Sequence, residues 1–228
     1  MKKNKFLKLA SGLLVLCLLT TCVISTTFAK YVTEDSASDT ARVAKWGVTI
    51  TTVDDGDSKV VKDTLDSADE AHISVAQADK LLAPGTKGSL LSASIQGKPE
   101  VAFNVDIDFT LTLANWSVDS AEYCPIVFTV NDVTYSMTDM GGTNESATVA
   151  DLVTAVQNAV VVALQASANE DYAADATYFE TAKVVTLSWA WAFDGGVGQT
   201  DEKDTALGDA TTPATLGYDL TITATQID

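Results

Sequence analysis

Hydrolytic chemistry needs nucleophiles, bases or metal ligands gathered at set spacings, and this chain is poor in all three. It contains one histidine, His72, within Asp69-Glu70-Ala71-His72. Zinc hydrolysis needs three protein ligands, an open position and a general base. The His-Glu-x-x-His spacing that places two ligands on one helix face is absent. A Ser-His-Asp triad has only His72 to draw on, and no Gly-x-Ser-x-Gly elbow exposes a serine. Glu70 and His72 therefore read as solvated strand or loop residues, and no catalytic or cofactor-binding residue is assigned. Carboxylates are the abundant functional group. Asp54-Asp55-Gly56-Asp57 lacks the ligand spacing and closing Glu of a calcium loop and reads as a turn. Asp201, Glu202, Asp204 and Asp209 are the candidates for calcium, as hard oxygen ligands. The plainer reading of those four is a solvated loop whose Asp side chains bond their own backbone. Gly195-Gly196-Val197-Gly198 is expected to lead into neither Lys-Ser/Thr nor a helix, so it reads as no phosphate cradle.

The leader directs the chain outward. Residues 1–8 are basic, Leu9 to Ala29 carry no charge, and Thr27 and Ala29 are small residues at the −3 and −1 positions of a cut before Lys30. This is the layout of a secretory signal, cleaved between Ala29 and Lys30. Residues 30–228 then form a single secreted domain, with no membrane attachment after cleavage. Cys17 and Cys22 leave with the leader, so Cys124 has no intramolecular partner and reads as a buried apolar group. The whole chain has 14 basic and 31 acidic side chains, a net charge of −17. Four of the lysines and none of the acids lie in the leader, so the remaining 199 residues carry a net charge of −21. Such a surface repels nucleic-acid phosphate and anionic lipid alike.

The elements that position these groups are mainly strands. Val101, Phe103, Val105, Ile107, Phe109, Leu111 and Leu113 occupy every second position, the mark of a strand with one dry face. Lys183–Phe193 and Leu216–Ile227 alternate in the same way, and shorter candidates are Val43–Val53, Ser58–Lys62, Ile73–Gln77, Ser89–Ile95, Ile126–Asn131 and Val133–Met137. Asn131-Asp132 predicts a tight hairpin between the last two. Pro84-Gly85 predicts a turn. Thr148 to Ala168 breaks the alternation, with Leu152, Val156, Val160 and Leu164 at i+4 spacing behind a Thr148/Asp151 capping pair. It predicts a helix, continuing in broken form through Asp171–Tyr178. Gly195–Ala214 reads as an acidic loop. Together these predict a mostly β fold, an antiparallel β-sandwich (jelly-roll or Ig-like) with a helix inserted around 148–168. Trp189, Trp191, Phe103 and Phe109 supply its core, leaving Trp46 and Trp116 as the tryptophans free to stack on a sugar.

Three stretches carry a family resemblance. They are Thr27-Phe28-Ala29-Lys30-Tyr31 running into Ala41-Arg42-Val43-Ala44-Lys45-Trp46-Gly47-Val48; the turn Leu82-Ala83-Pro84-Gly85-Thr86-Lys87; and Trp189–Asp194 followed by the acidic loop and the ending Thr223-x-Thr225-Gln226-Ile227-Asp228. Together they resemble the TasA/camelysin family of secreted Gram-positive surface proteins. Thr86 stands where that family's turn carries an acid. The resemblance implies export through a SipW-like signal peptidase and a sandwich that builds fibres in an extracellular or biofilm matrix or on the cell surface. Its partners would be further copies of itself, and other matrix proteins or polysaccharide. It also implies a competing activity, since camelysin-type relatives are classed as metallopeptidases; the residues above argue for no enzyme. Self-assembly has a physical route: polar Lys30–Ala41 leads into the β-prone segment Arg42–Val53, which can add as a strand to a neighbour's sheet edge, and the competing reading pairs Val43–Val53 within its own sandwich. A monomeric glycan-binding or adhesion module is the alternative.

Overall fold

In the computed structural model, residues 44–54, 61–62, 82–193 and 195–227 are described. The expected leader and its expected Ala29/Lys30 cut, Glu70, His72 and the strand expected at Ile73–Gln77 lie outside them. Among the described residues, twelve strands in two main sheets and a small hairpin form the sandwich. The larger sheet runs β1 (Val48–Asp54), β3 (Thr86–Gly97), β11 (Lys183–Trp191), β7 (Ile126–Val130), β8 (Val133–Met137) and β9 (Asn144–Ser146), with β2 (Val61–Lys62) also on β3. The second sheet is β10 (Asn169–Tyr172), β4 (Phe103–Ala114) and β12 (Thr215–Gln226), and β5 (Ser117–Val118) pairs with β6 (Ala121–Glu122). All pairings are antiparallel except β8 with β9, which are parallel.

Alternation becomes core directly. Val105, Ile107, Phe109 and Leu111 of β4 and Val185, Leu187, Trp189 and Trp191 of β11 are all buried, from opposite sheets. In β3 the buried phase changes between Leu90 and Leu91, where the β11 register shifts. Two residues oppose one there, a β-bulge, which lets two adjacent leucines both face inward. Asn131 and Asp132 take φ of 43° and 69°, the left-handed pair a two-residue hairpin needs. Gly85 has φ 78° in the Pro84-Gly85 turn, where its lack of a Cβ matters.

The inserted helix, α1 (Val149–Leu164), starts where Thr148 accepts a hydrogen bond from the Asp151 N–H at 3.0 Å. Its stripe Leu152, Val156, Val160 and Leu164 is fully buried, against β4 and β11. It also completes an edge. β10 pairs with β4 only as far as Asp106. Beyond that point Ile107 N–H donates to the Ala168 carbonyl at 2.7 Å, and Gln157 Nε2 donates to the Phe109 carbonyl at 2.9 Å. Buried Gln165 donates to the Val105 and Ala168 carbonyls, both at 3.1 Å. Side-chain amides thus take the place of a neighbouring strand.

Two expectations are corrected. The helix stops at Leu164 and does not resume over Asp171–Tyr178, because Asn169–Tyr172 joins β4 instead. The Asn104 amide holds it there, donating to Asn169 Oδ1 at 2.9 Å and Asp171 Oδ1 at 2.7 Å. Gly195–Ala214 is not wholly loop, since Asp201–Gly208 forms a second helix, α2. Thr200 caps it by accepting from Lys203 N–H, and three acids in its first turn complement the helix dipole.

Replacing Gln165 with Leu keeps the volume but removes the buried amide that donates to both the Val105 and Ala168 carbonyls. Gln165→Leu is expected to lower unfolding stability by about 1–3 kcal/mol, read from the shift of the urea midpoint.

Candidate functional site

The acidic candidates for calcium do not converge. Asp201, Glu202 and Asp209 are exposed along α2 and at its C-cap, while Asp204 turns inward and is buried. Its carboxylate accepts the Tyr123 hydroxyl on one oxygen and Gln199 Nε2 at 2.7 Å on the other. Lys203 reaches the Gly198 carbonyl at 3.0 Å and lies 5.3 Å from the centre of the Tyr123 ring. These contacts pin α2 to the segment after β6. Among the described residues no group of three His, Cys, Asp or Glu side chains is placed to hold a metal ion. The glycines before α2 serve packing: a Cβ on Gly196 would strike the Asp139 carbonyl.

The cysteine and tryptophans sort by burial. Cys124 is fully buried, and burial pushes its thiol up to about 12. Trp116, expected to be free for a sugar, is 3% exposed and donates its indole N–H to the Thr215 carbonyl at 2.8 Å. It packs on Trp191 at 6.0 Å, so it belongs to the core. Trp46 is 44% exposed and sits edge-on to Phe103, with ring centroids 6.3 Å apart. The Ala44–Gly47 segment is clamped there, since Lys45 N–H donates to Glu100 Oε2 at 2.9 Å and Glu100 N–H to the Lys45 carbonyl at 3.0 Å.

The exceptional surface is the flank at β12. Residues 105, 107 and 109 of β4 turn their backbone groups toward α1, so its even-numbered residues turn theirs toward β12. Register then commits Thr215, Gly217, Asp219, Thr221, Thr223 and Thr225 to β4. Leu216, Leu220, Ile222 and Ala224 turn their N–H and C=O groups to the other side. Among the described residues no strand pairs with that side. The side chains of the same row are only half buried, whereas the adjoining row on β4 is buried from Phe103 to Leu111. Sheet edges are ordinarily blunted by shortness, bulges, Lys or Pro. Of the other edge strands among the described residues, β9, β10 and β1 are three, four and seven residues long, but β12 runs for twelve and contains neither Lys nor Pro. Alternation marks this strand as amphipathic; it does not reveal which strand lacks a neighbour.

Among the described residues no helix is long and apolar enough to cross a membrane. No family model, curated protein or solved structure matches the chain.

Two outcomes follow from this geometry. Asp204→Ala strands the Tyr123 hydroxyl and the Gln199 amide, and is expected to cost about 1–3 kcal/mol, with α2 amides exchanging faster in hydrogen-exchange measurements. Tyr123 is held above the ordinary phenol value of 10.0, by burial first and then by Asp204. Tyr172 is raised too, by burial first and then by Glu170. The folded state therefore binds both protons more tightly than the unfolded chain. Their contribution is complete below pH of about 10 and is lost as pH rises beyond it. An ultraviolet phenolate titration should find these two ionising only together with alkaline unfolding.

Proposed function

We propose that this chain is a secreted, non-enzymatic structural protein of the extracellular or biofilm matrix or the cell surface. Its subunits join when an N-terminal strand of one copy adds to the β12 edge of the next. The open edge and half-covered apolar row of β12 are the observation that carries this reading. An incoming strand would satisfy the outward backbone groups and cover the row together. The resemblance to the TasA/camelysin family and the secretory leader support it independently.

The donor is narrowed by pairing. From Val48 on, the first strand belongs to its own sandwich through β3, in register from Val48 opposite Gly97 to Asp54 opposite Leu91. That leaves residues 30–43, which begin at the expected cut. Fourteen residues span about 46 Å when extended, against about 40 Å for the twelve of β12, so the segment is long enough to line the whole edge. The clamp on Ala44–Gly47 fixes where it departs, at the end of the sandwich where Ile227 N–H donates to the Ala102 carbonyl. A strand donated onward in this way makes a head-to-tail contact, which does not close and so grows a filament. Net negative charge opposes growth, and salt relieves it.

The alternative, a monomeric glycan or adhesion module, rests on exposed Trp46 and predicts retention on polysaccharide without polymerisation. Electron microscopy of chain 30–228 beside chain 44–228 separates the two. Filaments from the longer chain and none from the shorter, folded one are expected. A longer chain that stays monomeric across pH, salt and calcium would remove unassisted assembly.

A further inference from the structure

The two outward faces of the sandwich differ in charge. On the smaller sheet, the outward positions include Asp106 and Asp108 of β4, Asp219 of β12 and Asp171 of β10. On the larger sheet, Ser94 and Ser92 of β3 lie beside Val184 and Thr186 of β11, and Ser188 lies beside Thr129 of β7. Lys87, at one end beside Ala190, is the single charged residue among the outward positions of β3, β11 and β7. Val184 adds an apolar side chain that is 46% exposed.

We propose that this neutral face is a packing surface for a second copy of the chain. Two copies stack their larger sheets face to face about a two-fold axis and keep their acidic faces in water. Two observations select this occupant. Beyond the leader the chain carries a net charge of −21, so two copies meet with least repulsion where neither presents acids. Small Ser, Thr and Val side chains on a pleated surface interdigitate at the spacing of about 10 Å that stacked sheets adopt. The area sets the strength: the strands β3, β11 and β7, about 4.8 Å apart with a rise of about 3.3 Å per residue, present about 400 Å² per copy. The total of about 800 Å² is that of a weak, transient contact. Free subunits therefore pair weakly, and a polymer multiplies the contact through high local concentration. Each copy has one neutral face, so stacking ends at two layers. The inference is independent of strand addition.

The test uses chain 30–228, with sedimentation velocity over a concentration series and the width of any filaments by electron microscopy. Reversible dimers, or filaments two sandwiches thick, are expected. Val184→Glu sets a carboxylate in the contact at a position already open to water, and Ser94→Glu does so on the neighbouring strand, directly opposite it. Each should weaken pairing by at least about tenfold. Val184→Thr and, on the acidic face, Thr223→Glu should pair as the parent does. Circular dichroism confirms the fold of each variant. A folded Val184→Glu chain that pairs as tightly as the parent overturns the proposal, as does a parent that remains unpaired at every concentration and in filaments. Dimers without filaments would instead remove strand addition and leave the face-to-face contact standing.

Discussion

β4 buries its inward row from Phe103 to Leu111, and the backbone groups on its two edges are satisfied by two different means. On one side β12 pairs with it along its full length. On the other, β10 covers the residues up to Asp106, the Ala168 carbonyl and the Gln157 amide serve Ile107 and Phe109 beyond it, and Gln165 also reaches the Val105 carbonyl. An unpaired carbonyl in that interior would forfeit about as much as a helix cap contributes. The inserted helix is therefore a replacement strand as well as a source of apolar side chains. Its four buried residues and the capped edge together set the centre of the core beneath β4. One strand further out, β12 receives no comparable closure among the described residues, and burial falls accordingly along Leu216, Leu220, Ile222 and Ala224.

Much of this was legible in the sequence because each element has its own period. The two-residue rows of β4, β11 and β12 and the four-residue stripe of α1 admit few other structures, and Asn131-Asp132 specifies its hairpin. Where a segment lacks a period, the reading failed. α2 buries only Asp204 and Leu207, so nothing in its hydropathy betrays a helix; the signal was Thr200 ahead of three acids, a cap followed by dipole-matched charges. Residues 169–172 look like a frayed helix because they pair through backbone and Asn side chains, without an apolar stripe. Trp116 and Trp46 stand outside any alternating row, so their opposite fates were set by tertiary contacts alone. Alternation likewise says which face of a strand is dry and not which neighbour it has. The order of strands, the parallel β8–β9 pair and the open flank of β12 came only with the fold.

Charge shapes what such a molecule can do. Asp204, the one acid of α2 that is buried, is spent on internal hydrogen bonds to Tyr123 and Gln199, while its neighbours stay in water. The remaining acids keep copies apart by long-range repulsion, which salt screens over about 8–10 Å. In the proposed assembly, contacts between copies would arise where backbone groups or uncharged side chains are presented. The β12 edge offers the first and the outward face of the larger sheet the second. A protein with these two surfaces would extend in one direction and thicken to a fixed limit, properties suited to a matrix fibre.

Hydrogen exchange at the outward-turned amides of Leu216, Leu220, Ile222 and Ala224 tests the central claim most directly, because it reads the edge itself. In dilute chain 30–228 these four should exchange rapidly, while the amides of Thr221 and Thr223, bonded to β4, exchange slowly. On polymerisation the four should become protected together. Amides already protected in the dilute chain, or unchanged in the polymer, would contradict the account.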